Sequence, residues 1–354
     1  MRTSIFQERA DLCLQAKEAV NQDELVLLRS KVEVDHLLEF ARSTVRGLQQ
    51  YQPRLECRYL YDTRGYKLFE QICGLDEYYL TRTERSILER HSSDIRDITG
   101  PVTLLELGSG NSIKTNLLLE SYLNNEESVP YVPVDVSVNA LKSTLLAISE
   151  RHDTARLVAI NSTYEEVFPL IGELSPAMVL FLGSTIGNLD REEFDRFLDK
   201  LTGHLMPGDF FLLGVDLVKD VTIIERAYND EQGVTAEFML NLFVRMNREL
   251  GSGVDLDSVK HEAIWNEQES RVELYARFTA PQVIRVDPLD ESFSFDAGDR
   301  VLLEISRKFV LPDVERSLER FGLRSQAVYT DDQEWFALLL LQKEESETRR
   351  NRIG

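Results

Sequence analysis

Residues 102–120 read VTLLELGSGNSIKTNLLLE. A short apolar run passes through Gly108-Ser109-Gly110 and continues with apolar residues at helical spacing. A strand that turns through glycines into a helix leaves free N–H groups at the helix start and lets a ligand approach the backbone closely. A dinucleotide fingerprint would place a third glycine at position 113, where this chain has Ile113. The next strand, YVPVDVS (131–137), ends on Asp135, where an acid can bond both hydroxyls of a ribose. A nicotinamide dehydrogenase is the rival reading, and the missing glycine counts against it.

The same alternation runs outward from this stretch. Strand-like RLVAINS (156–162), AMVLFLGS (177–184) and DFFLLGVDL (209–217) alternate with helical VNALKSTLLAISERH (138–152) and EEFDRFLDKLTGHL (192–205). Continuous apolar strands separated by amphipathic helices predict a parallel sheet covered on both faces. The alternation stops after Leu217, and residues 218–300 carry a helical stretch followed by strand-like segments. The helix LPDVERSLERFG (311–322) and the strands SQAVYT (325–330) and EWFALLLLQ (334–342) then close the sheet with an antiparallel hairpin. Residues 1–50 show helical spacing and no strand signal. The expected fold is α/β, a Rossmann-like seven-stranded sheet ending in the hairpin, with a second, substrate-binding domain. The expected division is an N-terminal helical extension (1–34), a discontinuous substrate domain (35–83 and 218–308), a cofactor domain (84–217 and 309–343) and a tail (344–354). An inserted domain beside the carboxyl ends of the strands is well placed to form half of a cleft.

The formal net charge of −21 argues against a nucleic-acid partner, since no net positive field draws phosphates in. Three widely spaced cysteines predict reduced thiols in a cytoplasmic protein. Five histidines form no ligand spacing, so no metal site is expected. The charged start and strand-sized apolar runs predict neither a signal peptide nor a membrane span.

One late strand stands apart. In RVLLEISRKF (300–309), Glu304 and Ser306 point the same way, placing a carboxylate beside a hydroxyl on an otherwise apolar strand. Alone, that pattern also fits a solvated face.

Glu106, Gly-x-Gly, Asp135 and the closing hairpin together resemble class I S-adenosylmethionine-dependent methyltransferases. Three longer segments narrow this: YDTRGYKLFEQICGLDEYYLTRTERSIL (61–88), FLGSTIGNLD (181–190) and DLVKDVTIIERAYNDEQGVTAEFMLNLFVRMNREL (216–250). With LLELGSGNSIKT, they look like the histidine Nα-methyltransferases that make hercynine in ergothioneine biosynthesis, over roughly residues 35–342. The resemblance implies S-adenosyl-L-methionine as cofactor, S-adenosyl-L-homocysteine as its product and no metal. It implies cofactor contacts from Gly108, Ser109, Gly110, Lys114, Asp135, Thr163, Tyr164 and Gly183. Asn188 and Tyr228 are implied to hold the substrate's α-carboxylate and position its amine. Tyr78 and Thr235 are implied at the amino-acid pocket, and Tyr61 near the reacting amine.

On this resemblance Glu304 and Ser306 become the readers of imidazole. A neutral imidazole has one N–H and one acceptor nitrogen, which an acid and a hydroxyl can satisfy from one strand face. Two positions depart from the family's pattern. Thr163 precedes Tyr164 where an acid is common, so the adenine amino contact is expected to pass to a backbone carbonyl. Leu274 replaces a methionine that can line the imidazole pocket, a volume-conserving exchange. The motifs contain no strong base, and Tyr61 is the candidate, directly or through water. The expected protein is thus a cytoplasmic enzyme, a monomer acting on L-histidine without nucleic acid or membrane. The alternatives are an N-methyltransferase for another amino acid, such as a tryptophan derivative, or a non-catalytic cofactor-binding subunit.

Overall fold

The computed structural model describes residues 2–21, 26–29, 35–110, 113–126, 128–152 and 154–345. The tail expected at 344–354 therefore falls almost entirely outside the described residues, and the extension expected at 1–34 falls partly outside them. The strands, in chain order, are β1 (Val26–Arg29), β2 (Thr103–Leu107), β3 (Val129–Asp135), β4 (Ala155–Asn161), β5 (Ala177–Phe181), β6 (Phe210–Asp216) and β7 (Val259–Asn266). They continue as β8 (Arg271–Phe278), β9 (Gln282–Val286), β10 (Glu291–Phe295), β11 (Arg300–Arg307), β12 (Leu323–Thr330) and β13 (Phe336–Lys343).

The main sheet runs β1-β4-β3-β2-β5-β6-β13-β12. β1 to β6 are parallel where they pair, and β13 lies antiparallel between β6 and β12. Both faces are buried, which is why these strands read as nearly unbroken apolar runs. Leu105, Val132, Val179 and Leu213 enter one core; their neighbours Leu104, Tyr131, Met178 and Leu212 enter the core on the opposite face. The chain reverses its direction of growth between β2 and β5, so a crevice opens at their carboxyl ends.

One expectation is corrected. The sheet has eight strands rather than seven, because Val26–Arg29 pairs in parallel with Val158–Asn161 at the edge of the sheet. Four residues are too few to show a period, so the N-terminal stretch reads as wholly helical.

A second core gathers Phe40 to Leu80 with Ile224 to Leu303. Its frame is the antiparallel sheet β11-β8-β7, packed against helix Val234–Leu250, which in turn packs on helix Thr63–Cys73. Gly65 makes this fit possible, since a Cβ there would stand 1.7 Å from the carbonyl oxygen of Leu60. This core adjoins the sheet at the carboxyl ends of β5 and β6, where β11 packs on the turn Thr185–Asn188 and Leu217 bridges to Phe309. No helix among the described residues is long and apolar enough to cross a membrane.

Candidate active site

The cofactor side is built at the ends of the parallel strands. Gly108 and Gly110 both have left-handed backbones, with φ of +74° and +53°. A Cβ on Gly108 would lie 2.6 Å from the Tyr164 hydroxyl, so glycine is needed for contact as well as for conformation. Asp135 Oδ2 accepts from Gly110 N at 3.2 Å and Oδ1 from Ser137 N at 2.7 Å. Each oxygen keeps a further lone pair, which suits two ribose hydroxyls. Burial pushes the Asp135 carboxyl upward, opposed by these N–H donors.

Glu106 stands one residue before the end of β2. It is buried, accepts from the Thr115 hydroxyl at 2.6 Å and from Tyr131, and thereby ties the start of helix Ile113–Leu123 to the sheet. Burial raises it to about 7. Thr163 caps helix Tyr164–Ile171 in a capping box with Glu166, so the position lacking an acid has a structural duty of its own. Lys114 pairs with Glu84, a carboxylate with no solvent exposure on helix Tyr79–Thr99. Glu84 also accepts from Gly183 N at 2.8 Å and 2.9 Å, joining the glycine turn to the exit of β5.

That exit is held in a demanding conformation. Ser184 has φ +55°, unusual for a residue with a side chain, and its hydroxyl accepts from Asp216 N at 2.9 Å. The short turn Thr185–Asn188 follows, and a Cβ on Gly187 would lie 2.9 Å from the Arg307 carbonyl oxygen. Asn188 is thereby set beside β11. Asn188 is half-buried, and its side-chain amide makes no hydrogen bond among the described residues.

Alternation alone does not aim Glu304. A bulge between Leu302 and Glu304 inserts one extra residue in β11. Val301 and Leu303 enter the second core, whereas Leu302 and Ile305 share a small cluster on the other face with Tyr275. Without the bulge Glu304 would side with Leu302; with it, Glu304 turns towards the second core. Leu274 is its cross-strand partner on β8 and is fully buried. Glu304 Oε2 is sealed from solvent and has no hydrogen-bond partner. Burial raises the carboxyl to about 7, with Lys308 pulling the other way.

Ser306 meets Tyr228, their hydroxyl oxygens 2.7 Å apart. The two residues implied for opposite ends of the substrate are therefore one hydroxyl pair. Tyr78 meets Tyr228 edge-on, with centroids 6.2 Å apart, and Phe69 links Tyr78 to Tyr61 at 6.4 Å and 5.5 Å. Tyr61 also meets Phe238, one turn along the helix from Thr235. Thr235 is buried in the first turn of that helix, where its N–H donates to Asp230 at 2.8 Å. Tyr61 borders a cavity of about 580 Å³ shared with Asp62, Lys67, Ser137, Asn139 and Arg248, on the side where Asp135 lies. That size lies within the usual range for small-ligand sites, roughly 300–1,000 Å³.

A charged cluster behind these tyrosines escapes sequence reasoning. Lys308 Nζ donates to Tyr228 at 2.7 Å, Ser306 at 2.8 Å and Asp216 at 2.8 Å, with Lys308 and Asp216 side chains both wholly buried. Asp216 also accepts from Tyr79 at 2.8 Å and from Lys219. Burial lowers Lys219 to about 8 against the attraction of Asp216. For Lys308, burial is the largest influence and works against the charge, but Asp216 and Tyr228 together outweigh it and the net shift is upward. A signal is present: position 308 continues the 304, 306 register of one strand face.

Strand order, hairpin and glycine crevice define a class I methyltransferase fold with a second core over its cofactor edge. The chain belongs to the family described as histidine-specific, SAM-dependent methyltransferases, which it matches over residues 40–343. It is 39% identical over 306 residues to a histidine N-alpha-methyltransferase of Mycobacterium tuberculosis, covering 86% of this chain and 95% of that one. It is 40% identical over 314 residues to the Mycolicibacterium smegmatis protein of the same name, covering 88% and 98%. A 4-dimethylallyltryptophan N-methyltransferase of Claviceps purpurea is 30% identical over 199 residues, 53% of this chain and 58% of that one.

Proposed function

We propose that the protein trimethylates the α-amino group of L-histidine, giving hercynine for ergothioneine biosynthesis, as a cytoplasmic monomer needing no metal. One observation carries the choice of substrate: a buried carboxylate oxygen of Glu304 without a partner, on the same strand face as the Tyr228–Ser306 hydroxyl pair. An acceptor and a donor on one wall match the two nitrogens of neutral imidazole. Indole has a donor and no acceptor nitrogen, which would leave the hydroxyl pair unanswered. Sites that hydrogen-bond a ring discriminate strongly against rings lacking the partner, because buried polar groups are then left unpaired.

When bound, S-adenosylmethionine supplies a sulfonium methyl group for in-line transfer to nitrogen. Asp135 holds the ribose, Gly108, Ser109 and Gly110 let the cofactor lie against the main chain, and Tyr164 closes over that turn. Lys114, with donors left after pairing with Glu84, meets the cofactor's carboxylate near Gly183. Thr163 leaves the adenine amino group to a backbone carbonyl. Asn188, with a free amide, takes the substrate's carboxylate and amine, and Tyr228 acts through its hydroxyl pair with Ser306. Tyr78, Thr235 and Leu274 enclose the side chain. Held this way, the amine must first lose a proton, since only its neutral form has a lone pair, and transfer then rests on alignment and exclusion of water.

Tyr61 acts as a neutral phenol. Burial first, then the nearby Glu304 charge, push its pKa well above the ordinary 10, so it keeps its proton at neutral pH. It orients the amine by accepting an N–H. Tyr61→Phe is expected to lower kcat about 3–10-fold, the worth of one neutral hydrogen bond, with an unchanged pH profile. A loss above about 100-fold, or a displaced limb in kcat against pH, would restore Tyr61 as the base.

The direct test mixes the protein with S-adenosylmethionine and each amino acid in turn and reads products by mass spectrometry. Histidine gaining three methyl masses is the expected result. Methylation of tryptophan alone would transfer the chain to the other branch, and cofactor binding without any product would make it a non-catalytic subunit.

A further inference from the structure

We propose that Lys308 is a positioning residue that decides what the Tyr228–Ser306 pair offers a substrate: a single hydrogen, directed at an acceptor nitrogen. The inference rests on the histidine reading above and deepens it.

The argument is a count of protons. Lys308 Nζ has three N–H groups and no lone pair, and it has three partners: Tyr228, Ser306 and Asp216, at 2.7, 2.8 and 2.8 Å. Both hydroxyl oxygens must therefore accept from it, and neither can donate to it. The two oxygens are also 2.7 Å from each other, so one hydroxyl hydrogen lies between them. One hydrogen remains, whichever hydroxyl carries it. With both oxygens already accepting, that hydrogen is what the pair has to give. Glu304 stands on the same face with an oxygen lacking a partner, an acceptor when ionised. The wall thus reads one donor and one acceptor, the complement of neutral imidazole. It does not complement imidazolium, which has two donors, or an apolar ring.

Asp216 makes this orientation durable. It sits at the end of β6, in the methyltransferase sheet; its carboxylate is bonded to Tyr79 and its backbone N–H to Ser184. The lysine on the substrate strand is therefore anchored to the sheet that carries the cofactor. Removing the lysine frees both hydroxyls to rotate and to offer lone pairs instead.

A double-mutant cycle tests this on the full chain: wild type, Lys308→Met, Ser306→Ala and the combination, each measured for histidine KM, kcat and S-adenosylmethionine affinity. Lys308→Met is expected to raise KM for histidine about 10–100-fold while cofactor affinity stays within about 2-fold. Ser306→Ala is expected to cost less than half as much, on a logarithmic scale, in the Lys308→Met background as in wild type. A merely structural lysine would leave the two effects additive. Because Lys308→Met takes one of two lysines from buried Asp216 and can prevent folding, the cycle is repeated on Asp216→Asn/Lys308→Met, which removes both charges of that pair. Additive effects, or KM within about 2-fold of wild type, overturn the inference alone. A wild-type protein that turns over no histidine overturns the reading of function and this inference with it.

Discussion

Glu304→Leu is expected to lower kcat/KM for histidine by about 10²–10³-fold while making the folded protein more stable at pH 8. The two effects have one cause. The carboxyl is raised to about 7 by burial, and one of its oxygens has no hydrogen-bond partner. Such a group destabilises the free enzyme, and on the proposed reading a bound imidazole satisfies it. The pH dependence follows from proton linkage. An unfolded glutamate titrates near 4.5 and the folded one near 7, so the native state holds the extra proton between these values. Stability from this group is full below pH 4.5 and lost as pH rises through 7. Replacing it with leucine should recover about 1–3 kcal/mol at pH 8 and little at pH 4, read by urea denaturation at both. Glu106, also raised to about 7 by burial, contributes a slope of the same sign, so the pH dependence should shrink rather than vanish. A variant that keeps full activity with histidine, or is destabilised at pH 8, would remove Glu304 from the proposed imidazole site.

The contrast between Glu304 and Lys308 shows what a sequence discloses here. The strand-turn-helix around Gly108, the acid ending β3 and the apolar β5 and β6 are local patterns, and each element lies where its pattern places it. The Glu304 and Ser306 pair is legible for the same reason. What aims Glu304, however, is a one-residue bulge beside Leu302, whose backbone pairs with Pro53 and Leu55 of a distant segment. Lys308 alternates correctly with Ser306, but its meaning comes from Asp216 and Tyr228, far away along the chain. Lysine on a strand ordinarily reads as a solvated residue. Periodicity reports which way a side chain points and is silent about what lies opposite. The edge strand Val26–Arg29 is hidden for a simpler reason, being shorter than the run any pattern needs to declare itself.

Gly214→Ala, a change of one methyl group, is expected to weaken cofactor binding from the far side of β6. Glycine inside a strand weakens it, so its presence among FFLLGVD calls for a reason. A Cβ at 214 would stand 2.2 Å from Glu84 Oε1 and 3.2 Å from the Phe336 ring. The glycine is the opening through which Glu84 passes from helix Tyr79–Thr99 to reach Lys114 and Gly183 N. Phe336 is fully buried and cannot yield, so the added methyl displaces the carboxylate. Breaking a buried pair leaves a charge uncompensated, typically at about 3–5 kcal/mol. The same displacement frees Lys114 and the Gly183 turn, both proposed to face the cofactor. Denaturation should show a loss of about 3–5 kcal/mol, and titration should show S-adenosylmethionine affinity falling by about 10-fold or more in the fraction that folds. Because Glu84 touches neither β11 nor Tyr228, discrimination between histidine and other amino acids should survive at saturating cofactor. A Gly214→Ala protein as stable as wild type, with undiminished cofactor affinity, would show that the Glu84 bridge does not hold the two glycine turns in place.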